Sequence, residues 1–113
     1  MFTLKHSVAL YVPSTVNVDK LIDNTQIVLS IAGQMAKEFG GAHLESKDST
    51  GFYIADNGAL VAENTKVLRS FVDNVNSAMG FMFNLAREIC TELSQESVLV
   101  VIDNEAFFVD MGE

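Results

Sequence analysis

The chain has 113 residues, 49% of them hydrophobic, with one proline, one cysteine and no tryptophan. That length suits a single domain built on one core, and the composition excludes a disordered or low-complexity chain. Lys and Arg number 7 against 15 Asp and Glu, a formal net charge of −8. The cations are scattered singly, so the clustered footprint of a phosphate-binding surface is missing and direct nucleic-acid binding is not expected.

Cys90 is the lone cysteine, which excludes an intrachain disulfide and agrees with a reducing compartment. The apolar stretch from Val8 to Val12 is too short for a signal peptide. No run nears the roughly 18 apolar residues that would cross a bilayer. The expected location is the cytoplasm, with no membrane partner. The acidity suits a basic protein partner as well as simple solubility.

In chain order, the first predicted strand covers Lys5 to Val12, where His6, Val8, Leu10 and Val12 alternate with Ser7, Ala9 and Tyr11. Pro13 stops it, because proline removes a ladder donor. Asn17 or Asp19 offers the cap of a helix from about Val18 to Phe39. At about 100° per residue, Leu21, Thr25, Val28, Ile31, Ala32, Met35 and Phe39 form its apolar stripe. Gly40 and Gly41 supply the positive φ that ends a helix.

Ala42 to Lys47 predicts a strand with residues 48–51 as its exit turn, and Phe52 to Ala55 a short aromatic one. Asp56-Asn57-Gly58 predicts a type I′ hairpin. Residues 59–72 read either as one long strand bulged near Glu63-Asn64 or as two shorter pieces. A second helix is expected from Asp73 or Asn74 to Leu93. Its stripe holds Val75, Ala78, Met79, Met82, Leu85, Ala86, Ile89 and Leu93, with Phe81 and Phe83 on the flanks. Gly80 between them suggests the close approach of another backbone. Val98 to Ile102 reads as a central strand buried on both faces, and Ala106 to Asp110 returns as an edge strand after a turn at residues 103–105. The order predicts an α+β fold with two helices on one face of a mainly antiparallel sheet. It is a ferredoxin-like (split βαβ) variant with an added C-terminal hairpin.

No glycine motif for phosphate and no metal-ligand spacing is present, so neither cofactor nor metal is expected. His6 and His43 are the only histidines; His6 shares the parity of Val8 and Leu10 and reads as packed. Cys90 falls near a helix C-terminus, where the dipole disfavours a thiolate. Tyr53, Asp56 and Glu63 sit where acid–base groups converging on the hairpin would sit. Glu88 and Glu92, with Glu96 beyond, form an acidic ridge that reads as a solvated face or a dock for a basic partner. Met79-Gly80-Phe81-Met82-Phe83 combines adaptable methionines with large rings, the chemistry of an interface as well as of a core.

The opening His6-Ser7-Val8-Ala9-Leu10-Tyr11-Val12-Pro13-Ser14-Thr15 resembles the start of small uncharacterised proteins of bacterial mobile elements and phages. The correspondence continues through the helix ending at Gly40-Gly41, then Phe52-Tyr53, then Gln95-Glu96-Ser97-Val98-Leu99-Val100. It is a pattern of strand ends and caps, and it implies an accessory gene that acts on host machinery, including defence systems.

The sequence therefore predicts a small acidic, non-enzymatic binding protein without catalytic residues. It acts through contacts with another protein or with itself, as a homodimer, and its interface candidates are Met79, Phe81, Phe83, Glu88 and Glu92. The alternative is a small ligand-binding domain or enzyme whose pocket, between sheet and helices, uses His6, Tyr11, Tyr53 and Glu63. DNA mimicry ranks last, because lysines interrupt the acidic residues.

Overall fold

The computed structural model describes residues 1–16 and 20–111. Strand β1 (His6–Pro13) forms where predicted, and Val8, Leu10 and Val12 are fully buried. A two-residue ladder follows, with β2 (Thr15–Val16) antiparallel to β3 (Lys20–Leu21).

Helix α1 spans Thr25–Phe39, so the expected start near Val18 is corrected. Residues 20 and 21 are used in the β3 ladder, and Leu21, assigned to the buried stripe, is exposed. Asn24 sits at the N-cap but is fully buried, and its amide donates to the Pro13 carbonyl at 2.8 Å and the Val12 carbonyl at 3.4 Å. That tether fixes where the helix begins. Asp23 accepts from the Thr25 amide at 3.0 Å instead; the caps read at Asn17 and Asp19 lie outside the described residues. Gly40, at φ 91°, ends the helix with its amide on the Ala36 carbonyl.

The middle region differs more. Strand β4 (His43–Leu44) has only two residues, and β5 (Ser49–Ile54) takes in Ser49, Thr50 and Gly51, expected to turn. Both lie along the same edge of β6 (Leu60–Val72), which is one strand of 13 residues. Its pairing runs in unbroken register from Leu60 opposite Ile54 to Thr65 opposite Ser49, without the expected bulge. The hairpin closes through a three-residue loop. Gly58 takes positive φ at 85° and Asn57 does not, so the turn is not type I′. The Gly58 amide donates to the Ala55 carbonyl at 2.8 Å and the Ala55 amide to the Ala59 carbonyl at 2.9 Å. A three-residue loop with a left-handed glycine matches strand twist equally well.

Helix α2 (Val75–Leu93) starts at Asn74, whose side chain accepts from the Ser77 amide at 3.2 Å. Strands β7 (Val98–Ile102) and β8 (Glu105–Val109) form the closing hairpin. The sheet order is β4-β6-β1-β7-β8, with β5 also on β6, and every pairing is antiparallel. Setting β8 aside, this is the split βαβ arrangement with one added edge strand.

Both helices cover one face. Val28, Ile31 and Met35 of α1 join Ala78, Met82, Leu85, Ala86, Ile89 and Leu93 of α2 over Val8, Leu10, Val12, Leu68 and Val100. Each such buried Val, Leu, Ile or Met side chain contributes about 1.5–3 kcal/mol relative to exposure. Cys90 belongs to this core; its thiol donates to the Val109 carbonyl at 3.3 Å, and burial, then Asp110, pushes its pKa up. Among the described residues, no helix is long and apolar enough to cross a membrane.

Candidate active site on the bare face of the sheet

Register divides the sheet chemically. Val8 and Leu10 face Ser70 and Leu68 of β6 and Ile102 and Val100 of β7, on the side that carries the helices. Alternation sends Ala9 and Tyr11, Val67, Thr65 and Glu63, Leu99 and Val101, and Phe108 to the other side. No helix covers that side.

There the protruding part of the β5–β6 hairpin and the loop after α2 enclose an open cavity of about 820 Å³. Tyr11, Tyr53, Glu63, Thr65, Glu96, Leu99 and Phe108 line it. The pocket expected between sheet and helices is thus corrected to the opposite face. Between the helices the described residues form a smaller depression of about 180 Å³, edged by Gln26, Ser30, Gln34, Glu88 and Glu92.

Local structure places each group. Glu63 lies opposite Gly51, and Tyr53 lies opposite Val61, which makes Tyr53 and Glu63 diagonal neighbours on one face. Gly51 carries no side chain, which leaves room in front of Glu63. The hairpin is tied to the end of β1 at its root. The Ser14 hydroxyl donates to the Asn64 carbonyl at 2.7 Å, and the Thr50 hydroxyl to the Asn64 side chain at 2.6 Å. Glu96 is positioned by its predecessor. Ser94 ends α2 in the left-handed region (φ 50°), and the Gln95 amide donates to the Cys90 carbonyl at 3.0 Å. The buried Gln95 side chain then donates to the Thr15 carbonyl at 2.9 Å.

The electrostatics are those of a crowded acidic site. Burial pushes the half-buried Glu63 carboxyl above its ordinary pKa. Burial, then the charges of Glu63 and Glu96, hold the Tyr53 phenol above its usual value, so it stays protonated at neutral pH. Phenol and carboxylates therefore line one cavity, where a hydrogen-bond donor feels the charge of Glu63 and Glu96.

The sequence-derived pocket residues separate accordingly. Tyr11, Tyr53 and Glu63 come together in the cavity. His6 stands at the other end of β1, where Nδ1 lies 2.9 Å from Asp103. Asp103, at φ 53° in the β7–β8 turn, also accepts from the Ser7 amide at 3.1 Å; that amide, then His6, lowers its pKa. The interface candidates lie on α2, away from the cavity. Phe81 packs edge-on against Phe39 at 5.2 Å, and Phe83 against Phe107 at 5.3 Å, both half-buried, as is Met79. The width of the apolar face is thus occupied by α1 and β8. Nothing approaches within 4 Å of a Cβ placed on Gly80, so no backbone packs there. Glu88 and Glu92 are exposed beside the interhelical depression. Reasoning from sequence missed Glu96 as a pocket group, although its signal was present. It continues the four-residue spacing of Glu88 and Glu92, but the helix stops at Leu93, so it leaves their ridge.

No protein-family model matches the sequence, and no curated protein matches it. Solved structures do. A phage SAM lyase in complex with S-methyl-5'-thioadenosine superposes with a TM-score of 0.73 at 21% identity, over 97% of this chain and 95% of that one. A phage SAM lyase in its apo state gives 0.70 at 22% identity, over 100% and 97%. At this identity the likeness establishes the fold, and the phage source of both neighbours agrees with the resemblance read from the sequence. The expectation of a non-enzymatic binding protein is corrected by these neighbours. A fold shared from end to end with an enzyme, together with a cavity holding a phenol and carboxylates, favours the enzyme alternative.

Proposed function

We propose that this protein is an enzyme of the SAM lyase type, which cleaves a carbon–sulfur bond of S-adenosylmethionine and releases S-methyl-5'-thioadenosine. The observation that carries the reading is the convergence of Tyr11, Tyr53, Glu63 and Glu96 in one cavity. It lies on a fold shared over 97% of the chain with a phage SAM lyase bound to S-methyl-5'-thioadenosine.

The chemistry fits such a lining. The sulfonium is already a good leaving group; when the C–S bond breaks, sulfur keeps the electron pair and departs as a neutral thioether. The carbon left behind needs an electron pair; the lining holds carboxylates and hydroxyls but no Cys or His. Glu63 and Glu96 are weak bases for a carbon-bound proton. The substrate's own carboxylate needs no base: attack on Cγ forms one C–O bond as the C–S bond breaks, no proton moves, and a lactone results. Holding the two ends together makes the step intramolecular, with the large effective concentration that entails. No Lys or Arg lines the cavity to pair with that carboxylate and blunt it. Glu63 and Glu96 hold the sulfonium in place, and the Tyr53 hydroxyl donates to an acceptor of the substrate.

Incubation with S-adenosylmethionine, read by mass spectrometry, is the test. Wild-type protein should release S-methyl-5'-thioadenosine without added cofactor, and Glu63→Gln should slow release by about a hundredfold. Absence of the thioether product with a folded wild-type protein overturns the reading.

A further inference from the structure

Asp56, Glu63 and Glu96 line the cavity, and no Lys, Arg or His does. The ion pairs of the described residues are His6–Asp103, Lys66–Asp48 and Arg69–Glu45, so none of the cavity carboxylates is paired. Glu63 is half-buried, where its charge is least screened by solvent. The rings of Tyr11, Tyr53 and Phe108 stand around the same space and attract cations through their faces. An unbalanced negative potential inside a ring-lined cavity is relieved by one kind of ligand: a compact cation carried on an apolar body.

We infer that this cavity selects its ligand by the positive charge at sulfur, and that loss of this charge on cleavage drives product release. The inference rests on the SAM reading above. Before cleavage the sulfur bears a full positive charge facing Glu63 and Glu96. After cleavage the electron pair of the broken C–S bond resides on sulfur, and the neutral thioether no longer interacts with those carboxylates. The residues that hold the substrate therefore hold the product less tightly. Neutral adenosyl thioethers, which lack that charge, are discriminated against for the same reason.

Two ligands that share the adenosyl and amino-acid groups separate this from the parent proposal. Sinefungin keeps the adenosyl and amino-acid groups but has a carbon in place of sulfur, bearing a protonated amine where the methyl group stands, and has no cleavable C–S bond. S-adenosylhomocysteine has a neutral sulfur there. Calorimetric titration should give at least tenfold tighter binding of sinefungin to wild type, the scale of one charge-assisted contact. In the folded variants Glu63→Gln and Glu96→Gln that gap should shrink towards unity, while S-adenosylhomocysteine binds as before. Equal affinity for both ligands, with thioether still released from S-adenosylmethionine, overturns the charge inference alone. Failure to bind either ligand or to turn over S-adenosylmethionine overturns both proposals.

Discussion

The two faces of the sheet are built from the same strands and obey different rules. On the helix side, Val8, Leu10, Val12, Leu68 and Val100 are buried to within a few per cent, and their chemistry is uniform. On the bare side, Ala9 and Val67 are buried, but Phe108 is 70% exposed and Phe71 47% exposed, and carboxylates and tyrosines are interleaved with aliphatics. Phe71 makes an edge contact with His43 at 6.3 Å. One face is specified by packing and the other carries the chemistry. Stability and activity should therefore respond to different halves of each strand.

The largest effect expected is at Leu10, a central and fully buried residue of the helix side. Leu10→Ala should cost about 2–5 kcal/mol in chemical denaturation; a loss below 1 kcal/mol would mean that the core is not the one described. A smaller effect of opposite sign is expected at Glu63. Its folded-state pKa is raised by burial, so the stability it contributes when protonated is complete below its unfolded pKa. That stability is lost as pH rises through the folded value. At neutral pH the ionised carboxylate costs stability, and Glu63→Gln should raise the melting temperature, by less than Leu10→Ala lowers it. Coupled to loss of turnover, that gain would mark Glu63 as kept for function. The smallest change in stability is expected at Phe108. Phe108→Ser should alter stability by no more than about 0.5 kcal/mol, because the ring is exposed, yet weaken ligand binding measurably. A large destabilisation would mean that the bare face belongs to the core.

These differences also explain what was legible in the sequence. Hydrophobic period gave α2 nearly to the residue, because Ala78 to Leu93 is buried along one stripe and Asn74 caps it with its own side chain. It overran the start of α1, because Leu21 and Thr25 fit the stripe by spacing while Asn24 is tethered to β1 by bonds that periodicity cannot register. The strands 49–54 and 60–65 were hard to place for a related reason. One face of the hairpin is exposed, including Phe52, Ile54 and Leu60, and the other is only half-buried at Val61, Glu63 and Thr65, so burial imposes little alternation on it. Tyr53 and Glu63 were legible as a pair because a hairpin brings its arms together. Glu96 was not, since its placement depends on a contact between Gln95 and Thr15 across 80 residues of sequence. His6 was misleading because parity puts it in line with Val8 and Leu10, whereas the strand's end leaves it half-exposed beside Asp103. The emphasis on the Phe81 and Phe83 flanks followed from counting apolar surface on one helix without knowing that Phe39 and Phe107 lie against them.

The central claim is that ligand chemistry belongs to the bare face. Titration of isotope-labelled protein with S-methyl-5'-thioadenosine, followed by amide chemical shifts, tests it most directly. Shifts should concentrate at Gly51, Tyr53, Glu63, Thr65, Glu96 and Leu99, with α1 unmoved. Shifts confined to Gln26, Ser30, Glu88 and Glu92, in the depression between the helices, would contradict it.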